Sequence, residues 1–132
     1  DHQAPHTTSD LQFKAALQDR RRRIYTGLIR IAKQAQQTDA YQTNRNLLLS
    51  ADARADSLPN LEIEADDVKC SHGASVGELD QEHLFYLMSR GLPRPQAERL
   101  VVTGFLGEVL ARLPLGGVAE KVSRIIEERL RG

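Results

Sequence analysis

The feature that most constrains the fold is a series of short runs in which every second residue is apolar. They occupy 11–15, 24–32, 46–50, 61–65 and 68–70. A period of two is typical of half-buried β-strands. The midpoints of the first four runs are roughly 15 to 20 residues apart, wider than the about 8–12 residues typical of sandwiches and barrels. That spacing is also too short for a helix between every pair of strands, so it favours the stacked coils of a β-solenoid.

After Gly77 the period becomes helical. Asp80 is a good N-cap for the segment "QEHLFYLMSR", and Gly91 follows it in the way that glycine commonly ends a helix. One face of this predicted helix is apolar and carries Leu84, Phe85 and Met88.

A second helix is predicted over 95–113, because Pro95 suits a first-turn position. Its apolar residues spread beyond a single core-facing stripe and are Leu100, Val101, Val102, Phe105, Leu106, Val109 and Leu110. Pro114, Gly116 and Gly117 are predicted to interrupt the helical structure. A third, amphipathic helix then carries Val118, Val122, Ile125, Ile126 and Leu130.

The two periods predict a mainly β protein with a C-terminal α part. We place the β region at 1–77 and a small helical domain at 78–132. So small a helical unit needs to pack on the β part or on a partner to be stable.

Composition narrows the class of protein. The chain has 18 Lys and Arg against 18 Asp and Glu, so no overall field attracts it to nucleic acid or to a membrane. A single cysteine forms no internal disulfide, and no run has the length of a bilayer span or the pattern of a signal peptide. We therefore expect a soluble protein of a reducing compartment.

The sole methionine is Met88, so we also expect the chain to be a fragment.

Common motifs for nucleotides and metals are missing from the sequence. It contains no GxxxxGK[ST], no CxxC and no HExxH. The arginines at 20–23 could contact phosphate, but a charged turn is the favoured interpretation. His2 and His6 fall in a polar segment where exposed histidines rarely bind metal, and His83 is expected at the surface.

Cys70 and His72 are the most promising chemical pair. In an extended strand, residues i and i+2 project from the same side, so thiol and imidazole would lie together. Both are ligands for iron or zinc, yet two ligands leave a tetrahedral site incomplete, so further donors, such as those of another subunit, would be needed. Spacing alone favours a buried cysteine and a hydrogen-bonded histidine at a strand end. A Cys–His nucleophile ranks last, since no oxyanion loop leads into a helix nearby.

Two long segments carry a resemblance to a known family. The stretches "TDAYQTNRNLLLS" (38–50) and "PNLEIEADDVKCSHGASVGELDQEHLFYLMSRG" (59–91) resemble the C-terminal part of the SufB/SufD family, the scaffold components of a machinery that assembles iron–sulfur clusters. The resemblance covers essentially the whole chain but only about the last third of a family member. The segment "DDVKCSHGASVG" is more similar to the SufD branch than to the SufB branch.

This resemblance implies a fold, partners and a location. The fold would be the last coils of a right-handed parallel β-helix followed by a helical domain. The partners would be SufB and the ABC-type ATPase SufC, and the chain itself would be a non-catalytic scaffold. It would hold no tightly bound cofactor, only a transient iron ion or iron–sulfur cluster shared with SufB. The location would be the cytoplasm, or the plastid stroma in a photosynthetic eukaryote.

The resemblance also assigns roles to residues. His72 matches the functional histidine of SufD at its boundary with SufB, and Cys70 matches a neighbouring cysteine whose role is less defined. The ATPase would dock on the helices of region 78–113. The candidate docking residues are Leu84, Phe85, Met88, Val101, Phe105 and Val109.

Rival functions need other features. A purely structural subunit would support SufB and anchor the ATPase without supplying a ligand. A carbohydrate-active β-helix would need clustered carboxylates along a groove, whereas Glu62, Glu64, Asp66 and Asp67 favour a solvated strand face and turn. An uncovered solenoid end predicts pairing with a second copy when the chain is isolated.

Overall fold

The computed structural model describes residues 1–112 and 116–131. Five strands precede three helices along the chain. The strands are β1 (Thr8–Leu17), β2 (Arg22–Ile31), β3 (Asp39–Leu48), β4 (Arg54–Ile63) and β5 (Lys69–Glu78). The helices are α1 (Gln81–Ser89), α2 (Arg94–Leu110) and α3 (Gly116–Arg131). The prediction of a β-rich part followed by a helical part is confirmed.

Successive strands alternate between two parallel sheets. One sheet has the order β1-β3-β5 and the other pairs β2 with β4. Thr8 at the start of β1 aligns with Asp39 at the start of β3, which aligns in turn with Lys69 at the start of β5. A parallel pair cannot be joined by a tight hairpin, and here each connection runs through a strand of the other sheet.

The space between the two sheets holds one apolar cluster. Its buried members are Ile29, Ile31, Ala35, Ala40 and Ala65, and the half-buried Leu61, Val68 and Cys70 pack against them. Along β3, however, the inward positions after Ala40 are amides. Gln42, Asn44 and Asn46 are all buried, so part of the interior is polar.

These polar inward residues explain where the predicted strands are wrong. β3 begins at Asp39 rather than at 46, because its buried amides hide the period of two from a hydropathy pattern. β4 begins at Arg54 rather than at 61, because its first inward positions are Ala55, Ser57 and Pro59, which show no apolar alternation. β5 continues through Gly73 to Glu78, so Cys70 lies near the start of a strand and not at its end.

The capping signals of the first helix are confirmed. The Asp80 carboxylate accepts the backbone N–H of Glu82 at 2.8 Å and of His83 at 3.3 Å. Gly91 has φ +92°, a left-handed conformation that suits glycine, and its N–H donates to the Met88 carbonyl at 2.9 Å.

The later helix boundaries differ in detail from those predicted. Pro95 lies in the first turn of α2 as expected. Gly116 and Gly117 do not interrupt the helical structure but form the beginning of α3. The predicted helix end at Leu113 and the break at Pro114 lie outside the described residues.

A second apolar cluster joins the helices to the β part. Leu79, Leu84, Ala97 and Val102 are buried together. Half-buried side chains of both parts pack around them, including Ala16, Leu47, Leu49, Leu92 and Leu106. In the described part of the chain, no helix combines the length and the apolar content needed to cross a bilayer.

Lys14 anchors α2 to the outer side of β1. Its side chain is only 1% exposed and its Nζ pairs with the Glu108 carboxylate. The same Nζ donates to the Phe105 carbonyl at 2.8 Å and lies 4.5 Å from the centroid of the Phe105 ring. Buried ammonium groups need such partners to offset their lost hydration.

We expect Lys14→Met to reduce the free energy of unfolding by about 1–2 kcal/mol, because two charge-assisted hydrogen bonds are lost while the aliphatic packing remains. Urea unfolding measures the change. Arg45→Met is the matched control, since exposed Arg45 approaches Glu108 only to 4.0 Å, and it should cost less than about 0.5 kcal/mol. Equal losses in the two variants would contradict the anchoring role of Lys14.

The stabilisation by the Lys14–Glu108 pair should also depend on pH. The hydrogen bond from Lys14 lowers the pKa of Glu108 below its ordinary value of 4.5. The stabilisation is therefore complete above that value and is lost as the pH falls through the lowered pKa of the folded state. The difference between wild type and Lys14→Met should shrink on acidification below pH 4.5.

Gly27 of β2 leaves room for a side chain from the opposite sheet. A Cβ at this position would lie 2.1 Å from Gln42 Nε2 and 2.8 Å from the Tyr25 hydroxyl. The Gln42 amide therefore reaches across the interior and occupies the space beside the glycine.

Gly27→Ala should lower the free energy of unfolding by about 1–3 kcal/mol, because the buried Gln42 amide has little room to move. Gly77→Ala in β5 is the control, since no atom lies within 4 Å of its added Cβ. The double variant Gly27→Ala, Gln42→Ala should recover part of the loss. Urea unfolding without such recovery would show that the clash is not with Gln42.

Candidate functional site

The candidate site lies on β5, at an edge of the three-stranded sheet. β5 pairs with β3 on one side, and no other strand among the described residues pairs with it. Its backbone therefore offers one unpaired edge, which is a surface suited to another strand.

Cys70 faces the apolar interior. Its half-buried side chain packs against the cluster that contains Ile29, Ile31 and Ala40. Burial raises the pKa of the Cys70 thiol above its ordinary value of 9.0, so the group is a neutral thiol at physiological pH. The raised pKa argues against a thiolate nucleophile, since such residues depend on a lowered one.

His72 is accessible from solvent. It follows Cys70 by two residues in β5, so the two side chains project from the same side of the strand. The residue is exposed and aligns with Gln42 of β3. The imidazole is thus open to a partner, while the thiol beside it is held more deeply.

The pair alone does not make a complete metal site. Within residues 1–112 and 116–131, no group of three or more His, Cys, Asp and Glu side chains is placed to hold a metal ion. Any ion bound at Cys70 and His72 would therefore need donors from another molecule, as the sequence indicated.

The other histidines have different environments. His2 is buried rather than exposed, which corrects the expectation for the polar N-terminal segment. Its ring nitrogens hydrogen-bond with Thr7 Oγ1 at 2.6 Å and Ser9 Oγ at 2.8 Å, so both are already occupied. His83 lies at the surface, as predicted, 3.5 Å from the Asp80 carboxylate.

The charged clusters noted in the sequence are solvated. The carboxylates considered for a sugar-cleaving groove, Glu62, Glu64, Asp66 and Asp67, are all exposed. In the arginine run, Arg22 pairs with Asp56 at 2.7 Å. Neither arrangement forms an enclosed site.

The docking candidates of α1 divide between core and surface. Leu84 is 1% exposed and belongs to the second apolar cluster, so it is not a surface residue. Phe85 is 75% exposed and Met88 is 40% exposed. Adjacent helical residues point about 100° apart, so Leu84 and Phe85 face different ways. Tyr86 is exposed beside them, although the hydrophobic pattern of the sequence did not single it out.

The docking candidates of α2 are half-buried. Val101 packs against the second cluster, and the Phe105 ring contacts Lys14. Val109 is also half-buried. In this helix the more exposed apolar residue is Leu100, which periodicity did not distinguish from its neighbours.

The Cys70 thiol should alkylate more slowly with iodoacetamide at neutral pH in the folded protein than in denaturant. The reason is that burial limits both access to the sulfur and the thiolate fraction. Alkylation followed by mass spectrometry gives both rates. A faster reaction in the folded state would mean that the site activates the thiol.

Comparisons with known proteins agree on one family. The family description "SUF system FeS cluster assembly, SufBD core domain" matches residues 1–105. An iron–sulfur cluster assembly SufBD family protein of Mycobacterium tuberculosis is 43% identical over 138 residues, 98% of this chain and 35% of the relative. The iron–sulfur cluster assembly protein SufD of Escherichia coli is 40% identical over 132 residues, 100% of this chain and 31% of the relative.

A plant protein is also similar. Protein ABCI7, chloroplastic, of Arabidopsis thaliana is 43% identical over 91 residues, 69% of this chain and 19% of the relative. The chain thus spans about a third of the length of the bacterial relatives and less of the plant one.

Proposed function

The chain belongs to the SufB/SufD family of iron–sulfur cluster assembly proteins, and on that premise we propose that it is part of a SufD-type scaffold subunit. The subunit has no catalytic activity of its own. It works in a complex with SufB and with the ATPase SufC, which binds and hydrolyses the nucleotide.

The strands form the last coils of a right-handed parallel β-helix in this proposal. Support comes from the alternation of strands between two parallel sheets, and from the unbroken parallel register that links β1 to β3 and β3 to β5. Right-handed crossovers are the strong rule for parallel strands. β5 is then the edge on which SufB pairs, and in the isolated chain a second copy can occupy the same edge.

The observation that carries the site is the exposed imidazole of His72 on the unpaired edge strand. A neutral imidazole there offers a nitrogen ligand at the boundary with SufB. Donors of SufB complete the coordination of an iron ion or a nascent cluster, which is cargo and not a resident cofactor. Cys70 supplies a second ligand only after it loses a proton.

The helical part connects this site to the ATPase. Phe85, Tyr86 and Met88 expose apolar surface on α1, which is unusual for a solvated helix and suits burial by a protein partner. SufC docks there, and its nucleotide-driven movement reaches the β5 edge through the second apolar cluster, which includes Leu79 and Leu84.

The proposed compartment is the cytoplasm, or the plastid stroma for a plant protein.

We expect His72→Ala in the complete protein to abolish or strongly reduce cluster assembly on the purified complex, because the substitution removes the imidazole that is proposed to bind the iron ion or nascent cluster. Cluster formation is followed by visible absorbance during reconstitution with iron and sulfide. His83→Ala is the matched control, since His83 is an exposed histidine on α1 and should leave assembly unchanged.

Size-exclusion chromatography separates the ligand role from a purely structural one. With an intact complex and lost assembly, His72 acts as a ligand or proton carrier. If the complex itself dissociates, the structural alternative explains the loss. Full assembly by an intact His72→Ala complex would refute the proposed site, and Cys70→Ala distinguishes a shared ligand from a packing residue.

A further inference from the structure

Gln42 is a buried amide with an unused acceptor. It lies at an inward position of the central strand β3, is 2% exposed, and extends toward Gly27 of the facing sheet. Its Oε1 is buried and has no hydrogen-bond partner among the described residues. A buried carbonyl without a partner is costly, and such groups in folded proteins generally have a specific reason.

The residue that aligns with Gln42 is His72. Parallel pairing of β3 with β5 sets these two residues side by side, and Ala40 beside Cys70. Neighbouring strands are about 4.8 Å apart, so an imidazole that turns inward comes within hydrogen-bonding reach of the Gln42 amide. His72 makes no hydrogen bond to any described side chain, so its ring N–H is available.

We propose that Gln42 is a positioning residue for His72, in which Oε1 of the buried amide accepts the N–H of one ring nitrogen. This inference rests on the proposed function. A neutral imidazole has one donor nitrogen and one acceptor nitrogen. Engaging the donor fixes the tautomer and directs the other nitrogen, with its lone pair, toward the partner side of β5. Metal-binding histidines are commonly oriented in this way by a carbonyl or carboxylate.

The neighbouring buried amides do not provide this interaction. Asn44 and Asn46 align with Ala74 and Val76, which have no side-chain donor. Asn46 also donates to Asn44 Oδ1 at 2.8 Å. Of the three buried amides in β3, only Gln42 aligns with a side chain of β5 that can donate a hydrogen bond to it.

The test replaces Gln42 with Met, which has a similar volume and no acceptor carbonyl. The complete protein is labelled with ¹⁵N-histidine, and the His72 signal is assigned by its absence in His72→Ala. We expect one tautomer in the wild type, a mixture in Gln42→Met, and cluster assembly reduced about 10-fold, as is typical when such a supporting residue is lost.

Two further variants control for folding. Asn46→Leu removes a buried amide from the same strand away from His72, and it should leave the His72 tautomer and the assembly rate unchanged. Gln42→Asn keeps an amide but withdraws its oxygen from β5, so it should behave like Gln42→Met. Circular dichroism confirms that each variant is folded, and the tautomer signal is interpreted only for folded variants.

The outcomes separate this inference from the proposed function. An unchanged tautomer in folded Gln42→Met, with assembly lost in His72→Ala, overturns the role of Gln42 and leaves His72 as a ligand. Full assembly in His72→Ala refutes the ligand role, whereas a tautomer change in Gln42→Met would still establish the hydrogen bond. A crystal structure in which Gln42 Oε1 bonds to Tyr25 or Ser57 instead also overturns the inference.

Discussion

The parallel pairing of β3 with both β1 and β5 is the constraint on which the rest of the structure depends. Its register gives each residue of β3 one partner on either side, so that Gln42 lies between Leu11 and His72. On the β1 side, the outer face of the sheet holds Lys14 against α2. A slip by one residue would reverse every side chain of β5 and turn His72 away from Gln42.

The polar interior makes this register more specific. An all-aliphatic strand would tolerate several alignments at small cost, whereas a buried amide loses its hydrogen bonds when it is displaced. The Gln42 amide, fitted beside Gly27 of the facing sheet, requires one placement of β3 relative to β2. An amide rather than an aliphatic side chain at this inward position therefore favours one arrangement of the two sheets.

The sequence predicted the elements whose signals are local. β2 alternates cleanly toward Ile29 and Ile31, and the Asp80 cap and Gly91 terminate α1 as their chemistry requires. β3 and β4 were largely missed because their inward residues are amides, serine, alanine and proline. Their burial depends on strands that are distant in sequence and adjacent only in the fold, and no local pattern contains that information.

The sequence predicted which residues form the candidate site, but not that one of them is packed against the core and the other exposed. Spacing placed Cys70 and His72 on one side of a strand, and the structure agrees. The thiol packs on Ala40 while the imidazole is exposed, and this difference depends on β2, on β3 and on Ala65 in the connection between β4 and β5. The different burial of Leu84 and Phe85 was also not predictable, because the sequence predicts an apolar helical face but not which part of it the sheet covers.

In the proposed site, this asymmetry would give the two side chains different chemical roles. A neutral imidazole at His72 would bind an ion without losing a proton, whereas the Cys70 thiol would first have to lose its proton, against a pKa raised by burial. Metal binding itself can supply that free energy, since a bound cation strongly favours the thiolate. In the proposed site, the order of events would then be that the imidazole receives the ion first and the thiol joins only once the ion is held in place.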